Sequence, residues 1–139
     1  MDGFVMISHL DLTVLDRMIK EDPEKADAIV RKTAFQVEAY AKPLAAWETS
    51  AMRNSIYVVT SRTSEFNEAA AAALEKRPDA EIVEIPAPTQ LGVARVGPCV
   101  EYGIYQELGT YKMAAHPFMV PATEMAEKDF IANWEELIK

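Results

Sequence analysis

Few side chains in this sequence are of types that do chemistry. Two histidines, His9 and His116, and one cysteine, Cys99, stand among many carboxylates. No CxxC, HxH or HExxH spacing joins them, so a zinc site has no ligand set to start from. Cys99 and His116 can be drawn as a thiol nucleophile and its base. The plainer alternative makes Cys99 a small buried hydrophobe in a strand, and His116, directly before Pro117, an extended-segment residue bonded to a backbone carbonyl. Glu101 and Glu107 offer paired acids. They face one side of a strand-like stretch unless Gly103 bends it, and they serve glycoside hydrolysis only if a saccharide cleft surrounds them. His116 with Glu101 or Glu107 is therefore the hydrolase-type reading. Gly92, Gly97, Gly103 and Gly109 show neither GxGxxG nor GxxxxGKS/T spacing and read as turn or bulge positions. The expectation is no metal, no cofactor and no catalytic residue.

Elements must position whatever these residues do. Phe4–Ile7 is a short apolar run, and Ser8–Asp11 has capping-box spacing ahead of Leu12, Leu15, Met18 and Ile19, which predicts a short amphipathic helix. Asp22-Pro23-Glu24 is a stronger start signal. A carboxylate can cap, a proline fits the first helical position, and an acid suits the positive end of the dipole. Ala26, Ile29, Val30, Ala34, Val37, Ala41, Leu44 and Ala45 follow as an apolar stripe. Lys25, Asp27, Arg31, Lys32, Gln36, Glu38 and Lys42 make the wet face of a helix from Pro23 to Ala46, kinked or ended by Pro43.

Ile56–Thr60 reads as a strand, and Ser64–Lys76 as a helix capped by Ser64 and stopped by Pro78. Glu81–Ile85, Leu91–Val96 and Val100–Leu108 read as further strands, the last interrupted by Gly103. Pro121 opens a C-terminal helix through Ile138 with Ala122, Met125, Ala126, Phe130 and Trp134 on its apolar face. The fold class is α+β. An antiparallel sheet of about four strands, near Ile56, Ile82, Leu91 and Val100, carries the long N-terminal helix and the C-terminal helix on one face.

Composition bounds the rest. The chain has 139 residues, 50% of them hydrophobic and 26% charged, with a net charge of −8. That is the balance of one globular domain over residues 1–139, not of disorder, collagen or a disulfide scaffold. A lone cysteine asks for no oxidising compartment. No apolar run approaches a membrane span, and no secretory signal is recognisable at the N-terminus. An acidic surface disfavours nonspecific binding of nucleic acid or anionic lipid.

The most informative segment is Tyr102–Ala122, YGIYQELGTYKMAAHPFMVPA. It reads as a strand, a Gly109-Thr110 turn and a proline-stiffened stretch in which Phe118 and Met119 are anchors. Glu107 is placed to cap the turn's N–H groups, and Gly109 to supply a conformation that other residues resist. Here the sequence resembles the small head–tail joining proteins of tailed bacteriophages, also described as neck, tail-completion or minor tail components. Tyr105, Glu107, Leu108, Gly109, Thr110, Lys112, Met113, Ala115, Pro117, Phe118, Met119, Pro121 and Ala122 follow that family's closing pattern. Met52-Arg53-Asn54-Ser55-Ile56 follows a second block, where Ala46 and Ser50 stand in place of a proline and a glycine. Residues 61–90, with their extra helix, fall outside the resemblance and read as an insertion.

The resemblance implies a structural virion protein, made in the bacterial host's cytoplasm. It implies a ring of about six copies, closed by heterologous contacts between capsid connector and tail tube. DNA would pass through without sequence-specific binding, and no membrane would be involved. Tyr105, Glu107, Gly109, Thr110, Met113, Pro117, Phe118, Pro121, Arg53 and Ser55 would then form the shared turn, arm and interface. A soluble binding module encoded in a prophage is the remaining alternative.

Overall fold

The computed structural model describes residues 17, 20–45, 50–112 and 114–138. The expected elements at Phe4–Ile7 and Ser8–Asp11 lie outside these residues, as do Ala46 and Met113. In chain order the elements are helix α1 (Pro23–Leu44), helix α2 (Ala51–Ser55), strand β1 (Ile56–Thr60), helix α3 (Phe66–Lys76), strand β2 (Ala94–Pro98), helix α4 (Gly103–Leu108) and helix α5 (Met119–Ile138).

Local chemistry explains the start of α1. The Asp22 carboxylate accepts the Lys25 N–H at 3.3 Å, Pro23 occupies the first turn, and Glu24 sits at the positive end of the dipole. Pro43 is accommodated inside the last turn, and the helix ends one residue later. Ala26, Ile29, Ala34, Val37 and Ala41 are buried, whereas Leu44 is exposed. Asp27, expected on the wet face, is only 2% exposed. It pays no unpaired-charge penalty, because its Oδ1 accepts the Gly92 N–H at 3.0 Å and its Oδ2 lies 3.6 Å from Arg31. Gly92 meets it with φ of 81°, so the loop before β2 is pinned to α1 by a carboxylate.

Helix α1 packs against α5 and against both strands. The α1–α5 pair is antiparallel, since Tyr40 donates to Asp129 at 2.5 Å and Asn133 donates to Gln36 at 3.2 Å as the numbering runs in opposite senses. Strands β1 and β2 pair antiparallel, Val58 opposite Val96. All five β1 residues are buried. The strand's Ile56, Tyr57, Val58 and Val59, with Phe118, Met52 and Met119, are the largest closed side chains of the core, and burying an aliphatic or phenylalanine side chain of this kind is worth about 1.5–3 kcal/mol.

The mixed class is as expected, but the described sheet has two strands, not about four. Glu81–Ile85 contributes only the Ile82–Val100 bridge, with Val83 N–H donating to Cys99 O at 2.7 Å. The ladder stops there for two reasons. Pro98 has no N–H to give, and the Ile85 N–H donates to the Tyr57 hydroxyl at 2.7 Å. Burial pushes that phenol up to about 12. The second correction is larger. Val100–Leu108 is not a strand: after the Val100 bridge a turn at 101–102 leads into α4. Gly103 opens that helix where a Cβ would lie 2.5 Å from Pro98 Cγ and 3.3 Å from Met52 Sδ. The glycine is there for close packing, and its aromatic, β-prone neighbours follow a helix that tertiary contacts impose.

Candidate functional site

Tyr105, Glu107, Gly109, Thr110, Pro117, Phe118 and Pro121, singled out by sequence, lie on α4, on the start of α5 or on the chain between them, the corner between the two helices. Gly109 ends α4 with φ 76° and ψ 172°, a region that side chains with a Cβ rarely enter, and its N–H donates to Tyr105 O at 2.8 Å. Residues 110–112 and 114–117 are exposed and form an arm, and Phe118 is back in the core. A reciprocal pair closes the arm at its base. The His116 N–H donates to Gln106 O at 2.8 Å, and Gln106 Nε2 donates to His116 O at 3.3 Å.

Glu107 is the keystone of this corner. It is buried, yet its carboxylate meets three donors: Phe118 N–H at 3.1 Å and Met119 N–H at 2.7 Å on Oε1, and Val120 N–H at 3.4 Å on Oε2. These are the free amides at the start of α5. The next residue, Pro121, has no N–H, and Ala122 N–H begins the intrahelical ladder to Phe118 O at 3.3 Å. Every orphan donor of the first turn is thus satisfied, and a negative charge faces the positive end of a long helix. Glu107 caps this helix and not the Gly109-Thr110 turn, where the sequence reading places it. Pro121 sits within the first turn and does not open it, and Met119 is already helical.

Large apolar side chains near this base are exposed: Tyr111 is 92% exposed and Leu108 63%, and Tyr105, one turn before Leu108 on α4, is half-exposed. Lys112 Nζ lies 5.4 Å from the Tyr111 ring centre, and its N–H donates to Thr110 Oγ1 at 3.2 Å. Phe118 and Met119 point the other way and are fully buried. Arg53 and Ser55 lie on α2, not at this corner. Ser55 Oγ donates to Met52 O at 2.7 Å, and its backbone carbonyl accepts the Cys99 N–H at 3.0 Å.

The candidate chemical groups are dispersed. Cys99 is closed in the core, where burial pushes its thiol up to about 11, so its reactive thiolate is suppressed. The His116 side chain is exposed on the arm. Both Glu107 oxygens are committed to backbone amides. Glu101 is exposed beside Glu81, whose neighbouring carboxyl raises its proton affinity through a shared hydrogen bond. Among the described residues no group of three or more His, Cys, Asp or Glu is placed to hold a metal ion, and no helix is long and apolar enough to cross a membrane.

Sequence reasoning missed Gln106 and Asp27. Gln106 carries no signal while the segment is read as a strand. Asp27 had one: an acid one helical turn before Arg31, close behind a cap, can turn inward when a loop amide needs it. No protein-family model, curated protein or solved structure matches the chain.

Proposed function

We propose that the chain is a structural virion protein of a phage or prophage head–tail interface, assembling as a ring that joins the capsid connector to the tail tube, with no catalytic role. The observation that carries this reading is the construction of the α4–α5 corner. A buried carboxylate and a reciprocal Gln106–His116 pair hold the base of the arm, while Tyr105, Leu108 and Tyr111 are left facing solvent. Rigid aromatic side chains on a fixed base lose little entropy on docking, which suits contact between sister copies.

A second feature supports the likeness itself. Where the resembled family tends to have glycine, Ser50 has φ of 61°, in the left-handed region that glycine favours. At that one position the chain adopts, with a serine, a backbone conformation that suits glycine. A net charge of −8 suits a conduit wall that must not hold DNA.

Particles made by the host with the gene intact and with it deleted test the reading. The expected result is the chain in purified tailed particles by mass spectrometry, and filled heads beside unattached tails after deletion. Tyr111→Ser lowers joining while the purified variant keeps its helical circular dichroism, and His116→Ala leaves joining intact. Normal tailed particles from the deletion strain would overturn the proposal.

A further inference from the structure

A largely covered carboxylate, its side chain 14% exposed, lies away from the α4–α5 corner. Glu38 projects from α1 toward the start of α3, into a cavity of about 230 Å³ lined also by Lys42, Asn54, Tyr57, Glu65 and Glu68. Its Oε1 lies 3.0 Å from Lys42 Nζ. Its Oε2 is closed off from water and meets no N–H or hydroxyl donor. The Glu65 carboxyl lines the same cavity from the start of α3, and its nearness adds to burial in raising the proton affinity of Glu38. Two carboxylates cannot donate to each other, so the two share a hydrogen bond only when one proton lies between them.

Glu65 is itself a structural joint. Its N–H donates to Val58 O at 3.3 Å and its Oε1 accepts the Val58 N–H at 3.4 Å, so one residue stands in for a strand partner on the edge of β1. Its carbonyl then accepts the Ala69 N–H at 3.0 Å and starts α3. We propose that Glu38 and Glu65 form a proton-sharing clasp that holds the start of α3 to α1 and β1, and that loss of the shared proton loosens α3. The segment that responds is the one outside the family resemblance.

The charged neighbours divide in their effects. Burial raises the proton affinity of Glu38 most, and Glu65 raises it further, while the Lys42 ammonium on α1 pulls it down. Glu68 on α3 adds a negative charge at the cavity rim. Tyr57 on β1 is neutral throughout the relevant range. Above the ordinary carboxylate value of 4.5 the folded chain keeps a proton that the unfolded chain has lost. The clasp therefore contributes fully below that value and fades as pH rises through the raised one.

Hydrogen exchange of the full chain from acid to mildly alkaline pH, corrected for intrinsic exchange rates, tests the clasp. In the wild type the α3 amides, Ala69 and Ala73 among them, should lose protection as pH rises, relative to those of α1. Glu38→Gln, which fixes the hydrogen-bonding capacity of a protonated carboxyl, should abolish that dependence and leave α3 better protected at the alkaline end. An unchanged pH dependence in Glu38→Gln would overturn the proposal. If that variant fails to fold, carboxyl-carbon NMR titration of the wild type decides: coupled titration of Glu38 and Glu65 with one raised step supports the clasp, and two independent ordinary steps overturn it.

Discussion

Glu107 and Glu38 are the same residue type, each set largely out of water, and the fold treats them in opposite ways. Glu107 meets three backbone N–H groups from the start of α5 and a favourable helix dipole. Glu38 has a lysine on one oxygen, no donor on the other, and a second acid lining the same cavity. What separates the two is the supply of donors, since depth alone would penalise both. The α4–α5 corner is accordingly built to hold one geometry. The α1–α3 seam is built to depend on a proton.

The largest effect should come from removing the satisfied acid. Glu107→Ala leaves the first turn of α5 without acceptors inside the core and should cost about 3 kcal/mol in urea denaturation. Glu107→Gln keeps one carbonyl oxygen but aims an NH₂ at donors, so it should fall between wild type and alanine. A cost for Glu107→Ala no larger than that of an exposed glutamate would end the contrast, because the three amides would then be finding water.

This keystone was half-legible in the sequence. A glutamate before Gly109 invites a capping role, but the amides it caps belong to a helix that starts twelve residues further on, and no local spacing rule reaches that far. The β-rich letters around it pointed to a strand. Nothing local announces that Pro98 and Met52 crowd Gly103 into a helix start. By contrast, α1, β1 and α3 were readable, since their signals are local: a cap with a following proline, a β-branched run, an alanine-rich stripe. Even there Ser64 works one step off, with Oγ accepting the Phe66 N–H at 3.2 Å while Glu65 takes the cap position. The two strands expected at Glu81 and Val100 meet in a single bridge and go no further, because the Ile85 N–H turns to a tyrosine hydroxyl and the chain after Tyr102 turns into α4. Pairing partners are tertiary facts.

A smaller effect of opposite sign is expected at Ser50. Its φ of 61° strains a side chain with a Cβ, and no side-chain hydrogen bond to the following helix repays it. Ser50→Gly should stabilise the chain by about 0.5–1 kcal/mol, the relief of left-handed strain less the extra freedom glycine gives the unfolded state. The rise in thermal midpoint should be the same with Glu107 intact or replaced by glutamine, since Ser50 precedes α2 while Glu107 bonds the start of α5. If the effects of the two substitutions fail to add, the corner and the α2 turn are not the separate regions the contrast assumes.

The smallest effect concerns a third acid, Glu24, which isolates the role of burial. It has what Glu38 lacks, a bidentate guanidinium: Arg62 Nη1 and Nη2 donate to its two oxygens at 2.8 and 2.6 Å. The Arg62 hydrogen bonds hold its carboxyl below the usual range, but both groups stand in water. Water would satisfy either one alone, so the pair has little to lose. Arg62→Ala should therefore leave the denaturation midpoint close to wild type at low salt and indistinguishable at about 1 M salt, where screening acts over about 3 Å. The sign with pH runs opposite to the clasp. A lowered carboxyl contributes above its ordinary value and loses that contribution as pH falls, so wild type and Arg62→Ala should converge in acid. A large, salt-insensitive loss in Arg62→Ala would mean that geometry outweighs burial in setting what a carboxylate is worth in this fold.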